Sequence, residues 1–131
     1  MSQQFASQQL EPTDVELRIL GVLWQCPDAT ARSIHNAVHA QQNKNYSTTV
    51  KMLSVMLGKG LVRRDDNVRP QTFAAAVTRR KTQKSLVSNL LEKAFDGSAS
   101  TLAMQTLSSG KPTKEDLQKI RKLIEKLEQK K

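Results

Sequence analysis

His35 and His39 stand four residues apart in a segment with helical apolar spacing, which puts both imidazoles on one side of a helix where they could face a zinc ion. Zinc sites take three or four protein ligands, and no further Cys, His or carboxylate stands at a matching spacing. No metal is therefore expected, and His35 reads as packing or hydrogen-bonding on the helix surface. Cys26 is the single cysteine, so an intrachain disulfide framework is excluded. Its neighbours Gln25 and Pro27 offer none of the positive charge that activates a thiolate, and an ordinary packed thiol is expected. Asp65-Asp66 fits turn chemistry better than an acid pair. There is no phosphate-cradling glycine loop, zinc-binding helix motif or nucleophile elbow. The chain is expected not to be an enzyme and to need no cofactor.

What remains with chemistry to offer is positive charge and hydrogen-bond donors. The chain has 131 residues, 21 Lys+Arg against 12 Asp+Glu, and a net charge of +9, which points to a polyanionic partner. The charge is unevenly placed. Residues 1–43 are slightly acidic, 44–69 carry Lys44, Lys51, Lys59, Arg63, Arg64 and Arg69 against two acids, and 70–131 are again basic. Length fits one domain with an appendage, and 37% hydrophobic residues fit a globular chain.

The elements that must carry these groups follow from periodicity. Residues 1–11 are polar without a period and are expected to form a flexible tail. Thr13 and Glu16 spell a capping box ahead of Val15, Ile19, Val22 and Leu23, and Cys26-Pro27 ends that helix. Thr30 caps a second helix to about Ala40, followed by a polar turn over 41–45. Ser47 or Thr48 is expected to cap a third, with Thr49, Leu53 and Met56 inward, stopped by Gly58-Lys59-Gly60. The period then changes. Leu61–Arg64 and Gln71–Val77 flank a turn-rich stretch and predict a β-hairpin. Three short helices and a hairpin describe a winged helix-turn-helix over 12–77.

Residues 78–131 read as helical throughout. Leu86, Val87, Leu90, Leu91 and Phe95 form a wide apolar face, Leu102 belongs to a short helix, and Leu117, Ile120, Ile124 and Leu127 line a last one. So many leucines exceed what three short helices can bury in one copy, which predicts a homodimer paired through this segment. The fold class is thus mainly α (α+β): an N-terminal winged helix-turn-helix with a small β-hairpin wing, then a three-helix C-terminal dimerisation segment.

In a helix-turn-helix the second helix enters the major groove of DNA by its N-terminal end. Ser47, Thr48, Lys51, Met52 and Val55 lie away from the inward stripe and are the expected base and phosphate contacts. Lys44, Asn45 and Tyr46 lead into that helix and could hold the backbone, and Arg69 sits at the wing tip. The lysines of the last helix alternate with Glu115, Glu125 and Glu128 as a solvated surface would.

Tyr46–Met56 together with Lys59–Asp65 resemble the recognition helix and first wing strand of the penicillinase-repressor (BlaI/MecI-type) family. Thr82–Val87 and Phe95–Ala99 resemble its dimerisation segment, and the match runs from about 12 to 130. The resemblance implies a dimeric repressor on an inverted-repeat DNA operator, relieved in its best-known members by proteolysis downstream of a membrane sensor. A sensor-linked protease is therefore an implied partner, and the family's cleavage bond falls near Gln105–Thr106, where its Asn-Phe pair is absent. The alternative is a winged-helix module that binds an acidic protein without reading DNA sequence. The longest apolar run, Ile19–Trp24, is far short of the roughly 20 residues that span a bilayer, and Met1–Phe5 lacks the features of a secretory signal. No membrane insertion and a cytoplasmic location are expected.

Overall fold

Thr13, Thr30, Ser98 and Thr113 each stand at a helix N-cap and accept a hydrogen bond from the amide three residues on. Each answers a donor that the first turn leaves without an internal partner. The computed structural model describes residues 11–130, with all their side chains except that of Gln41. The expected tail lies outside the described residues apart from Glu11.

In chain order the elements are α1 (Asp14–Gln25), β1 (Ala29–Thr30), α2 (Ala31–Val38), a 3-10 turn (Ala40–Gln42), α3 (Tyr46–Lys59), β2 (Val62–Asp65) and β3 (Thr72–Ala75). Three helices follow: α4 (Arg79–Ala94), α5 (Ala99–Ser109) and α6 (Lys114–Gln129). Two compact units result, Met1–Asn89 and Leu90–Lys131, with the division inside α4.

The first unit is a winged helix-turn-helix. Ile19, Leu20 and Leu23 of α1, Ile34 and Val38 of α2, and Leu53 and Met56 of α3 meet in one core, closed by Leu61, Val62 and Phe73. The sheet is antiparallel in the order β1-β3-β2, with Arg64 opposite Phe73 on one side and Ala29 opposite Phe73 on the other. Strand β1 goes beyond the expected hairpin. Two residues are too few to show a period of two, and the chemistry of Thr30 marks it as the cap of α2. Trp24 donates its indole N–H to the Val77 carbonyl at 2.9 Å, which ties the chain leaving β3 to the end of α1.

Helix α3 starts two to three residues earlier than expected. Asn45 is its N-cap and makes no side-chain cap bond, so Ser47 and Thr48 fall inside the first turn. Tyr46 is drawn into the helix by contacts that sequence spacing does not show: its ring meets the edge of His35, and the Arg32 guanidinium lies over its face. At the other end Gly60 adopts the left-handed conformation (φ 78°) and returns its amide to the Leu57 and Met56 carbonyls, a conformation that side chains with a Cβ resist.

Glu16 binds the two ends of this arrangement together. Its carboxylate accepts from the Thr13 amide at 2.9 Å, completing the capping box, and from the Lys59 ammonium at 3.0 and 2.9 Å. The carboxylate is buried at 1% exposure while Lys59 keeps 32% of its side chain in water. The start of α1 is thereby fastened to the end of α3.

In the second unit Ser98 caps α5, and Thr113 with Asp116 forms a capping box on α6. No residue of α5 or α6 is buried. Of the residues expected at a dimer contact, Leu86, Leu91, Phe95, Leu102, Leu117 and Ile120 are half-buried, while Val87, Leu90, Ile124 and Leu127 are exposed. None of the described helices is long and apolar enough to cross a membrane.

Replacing Lys59 with Ala takes the ammonium away from the Glu16 carboxylate and leaves it the Thr13 amide. Because Lys59 is partly hydrated, the expected loss is about 1–2 kcal/mol, below the range for fully buried broken pairs. Urea denaturation should show a lower midpoint with an unchanged slope. A midpoint equal to the parent's would class this bridge with inert surface ion pairs.

Candidate nucleic-acid interface

Helix α3 has two faces. Thr49, Leu53 and Met56 are buried, whereas Ser47, Thr48, Val50, Lys51, Ser54 and Val55 are exposed. Apart from Thr48, these exposed residues fall in two adjoining rows at i, i+4, i+8: Ser47, Lys51 and Val55 in one, Val50 and Ser54 above Tyr46 in the other. Met52 is half-buried and packs against the core, so only part of its side chain reaches water. Lys44 and Asn45 are exposed just ahead of the helix and Tyr46 is half-buried.

What holds α3 at this rotation is a buried polar contact. The Thr49 hydroxyl lies 2.7 Å from His35 Nδ1 and 2.6 Å from His39 Nδ1. Thr49 and His39 are fully buried, and His35, expected on the helix surface, is buried as well at 8% exposure because its ring turns toward Thr49. One hydroxyl has one proton to give, so the two imidazoles play opposite roles: one accepts from Thr49 and the other donates to it. His39 Nε2 is buried with no hydrogen-bond partner. A lone pair is easier to leave there than an N–H, which favours His39 as the donor at Nδ1 and His35 as the acceptor. The spacing of the two histidines that suggested a metal serves a hydroxyl instead. Among the described residues no cluster of three or more His, Cys, Asp or Glu is placed to hold a metal ion.

Burial holds the His39 pKa below its ordinary 6.5, and the positive charges of Lys44, His35 and Arg18 add to the effect. An unfolded chain takes up this proton more readily than the folded one, so acid favours unfolding.

Across from α3 stands the wing. Arg64 donates from Nε to Asp66 at 2.6 Å, and the Asn67 amide donates to the Asp65 carboxylate at 2.9 Å, so both aspartates build the turn. Arg69 is exposed just before β3. Between α3 and the wing runs a groove of about 420 Å³. Arg32, Tyr46, Val50 and Ser54 line one wall, Arg64, Arg69 and Phe73 the other, and no carboxylate lines it. Val50, Ser54 and Arg32 escaped the sequence reading. The exposed row through Val50 was available from helical spacing, but Arg32 belongs to α2 and reaches the groove only through the packing of α2 on α3.

The sequence profile of the family described as penicillinase repressor matches residues 12–126. No curated protein matches the chain. Among solved structures, a MarR family protein from Bacillus stearothermophilus is similar at 19% identity and TM-score 0.47, covering 98% of this chain and 83% of that one. A mutant of MepR from S. aureus bound to an oligodeoxyribonucleotide is similar at 22% identity and TM-score 0.49, covering 98% and 88%. A MarR family transcriptional regulator from Silicibacter pomeroyi is similar at 20% identity and TM-score 0.47, covering 95% and 73%.

Thr49→Val removes the shared hydroxyl at nearly constant volume and strands both Nδ1 atoms, so a loss of about 2–4 kcal/mol is expected in chemical denaturation. A loss under about 0.5 kcal/mol would show that the contact does not lock the helix. In the parent chain the His39 contribution is complete above its ordinary value of 6.5 and declines as pH falls through and below that value. The melting temperature should therefore drop between about pH 7.5 and pH 5.5, ahead of carboxylate titration, and the drop should shrink in His39→Asn. Equal slopes in the two proteins would assign the effect to other groups.

Proposed function

The chain belongs to the penicillinase-repressor family of DNA-binding transcription regulators, and we propose that it represses by sitting as a homodimer on an inverted-repeat operator. Residues 12–77 are assigned to duplex binding and 78–131 to pairing. The observation that carries this reading is the exposed row Ser47, Lys51, Val55 on a helix locked from behind by Thr49. Hydroxyls and a cation near a helix N-terminus suit phosphates and base edges, and valine suits thymine methyls. Asn45 leaves the first turn without a side-chain cap, so its amides are not occupied by one.

Pairing is supported by the second unit. Leu117, Ile120, Ile124 and Leu127 recur at alternating steps of three and four, the seam of a two-helix contact. Leu123, Ile124 and Leu127 are each at least half exposed in one copy, a stripe of apolar surface that a second copy would cover. Two weak readers joined in this way bind the second half-site as an intramolecular event. Occupancy of a promoter then blocks polymerase without any chemical step. The protein works in the cytoplasm on this reading.

On the same reading, the operator is released when a sensor-linked protease cuts the pairing segment. Gln105 and Thr106 lie within α5, where Thr106 donates its hydroxyl to the Leu102 carbonyl at 2.7 Å. A protease takes its substrate extended, so this bond becomes available only as the end of α5 unwinds.

Leu90→Asp should halve the mass in gel filtration and weaken operator binding; unchanged affinity in a monomeric variant would refute the coupling. Lys51→Ala or Arg69→Ala should flatten the plot of log K against log salt by about 0.9 for each phosphate left without its cation, hence close to 2 per dimer. A parallel line makes that residue a bystander. Selection of bound genomic fragments should return one palindromic sequence, whereas recovery of fragments without common sequence would favour an acidic protein as the partner.

A further inference from the structure

We infer that Arg32, held by the ring of Tyr46, grips the DNA backbone strand that runs through the groove between α3 and the wing. The inference rests on the DNA reading above and deepens it. In duplex DNA a sugar-phosphate strand separates each major groove from the neighbouring minor groove. A helix seated in the first and a wing tip at the second leave that strand one passage, between the two elements. The groove found there is lined by three arginines and no carboxylate.

These arginines are not equivalent. Arg64 is matched by Asp66. Arg32 and Arg69 form no ion pair among the described residues. Arg32 is exposed, and its guanidinium lies 3.9 Å from the centroid of the Tyr46 ring. Tyr46 in turn meets His35 edge-on at 5.7 Å and 87°, and His35 is bonded to Thr49. These contacts continue into the buried one that fixes α3, so the guanidinium is placed over the ring before any ligand arrives. The ring meets the guanidinium carbon, and the exposed side chain keeps N–H groups for a phosphate, which a planar fork can meet with two parallel bonds. Pre-ordering also reduces the rotamer freedom lost on binding. Position argues the same way. Arg32 stands in the first turn of α2, where the helix dipole disfavours a cation, so helix stability gives no reason for a positive charge there. Arg69 faces the same strand from the wing. Tyr46 acts through Arg32 and is a positioning residue.

Phosphate contacts are indifferent to sequence, so a fluorescent duplex of random sequence and about 30 base pairs serves as the probe. Anisotropy across a salt series compares the full-length parent with Arg32→Gln, Arg32→Lys, Tyr46→Leu and Tyr46→Phe. Arg32→Gln should bind about tenfold more weakly and lower the log–log slope by about 0.9 per bound protomer. Arg32→Lys should keep the slope and lose part of the affinity, because it retains charge without the planar fork. Tyr46→Leu should likewise keep the slope and weaken binding, and Tyr46→Phe, which keeps the ring under the guanidinium, should recover most of that loss. Arg32 is exposed, so its variants should stay folded, with changes in melting temperature that are small beside the loss of binding. A parent slope in Arg32→Gln overturns the inference and leaves the DNA reading standing. Salt-independent or absent binding by the parent itself overturns both, and the parent curve alone tells these failures apart.

Discussion

The rotation of α3 about its own axis depends on one hydroxyl. Thr49 points into the protein because two imidazoles from α2 and its C-cap meet its oxygen within 2.7 Å. A turn of the helix by one residue would carry that hydroxyl away from both and bury an exposed neighbour in its place. Apolar contacts at Leu53 and Met56 are tolerant of small rotations, whereas a hydrogen bond in a dry interior is not. The presentation of Ser47, Lys51 and Val55 to the outside is therefore the outward consequence of an inward polar contact.

The remaining supports act at the ends. Gly60 closes the C-terminus of α3 on itself, and Lys59 beside it reaches Glu16 at the start of α1. Glu16 does double service, because the carboxylate that anchors Lys59 also caps its own helix through the Thr13 amide. Rotation is thus set in the middle of α3 and axial position near its end, by groups from two different helices. The sheet completes the frame, with Phe73 turning the wing's one deeply buried aromatic side chain into the same core.

Local signals in the sequence carried far. The Thr13/Glu16 capping box, the stop at Cys26-Pro27, the turn glycine after α3 and the hairpin all follow from short-range chemistry, and each was readable without the fold. What was not readable depended on contacts between elements. The pairing of β1 with β3 joins residues more than forty apart, and two residues carry no period. Asn45 displaced Ser47 and Thr48 as the cap of α3 because Tyr46 is engaged by Arg32 and His35 of another helix. The histidine spacing was visible, but its partner is a threonine on α3, and helical periodicity assigned Thr49 only to the inside. On the candidate surface the row Ser47, Lys51, Val55 was evident from its chemistry, while Val50 and Ser54 were passed over beside it and Arg32 was out of reach.

Trp24 is the chain's single tryptophan. Its indole N–H is bonded to the Val77 carbonyl, where the wing gives way to α4, and the Arg79 guanidinium lies 5.4 Å from its ring. Indole emission responds to hydrogen bonding and to nearby charge, so the protein contains its own chromophoric label at the root of the wing. Any event that shifts this joint reports itself as a change in colour or intensity, with no dye attached and no second fluorophore of the same kind to obscure it.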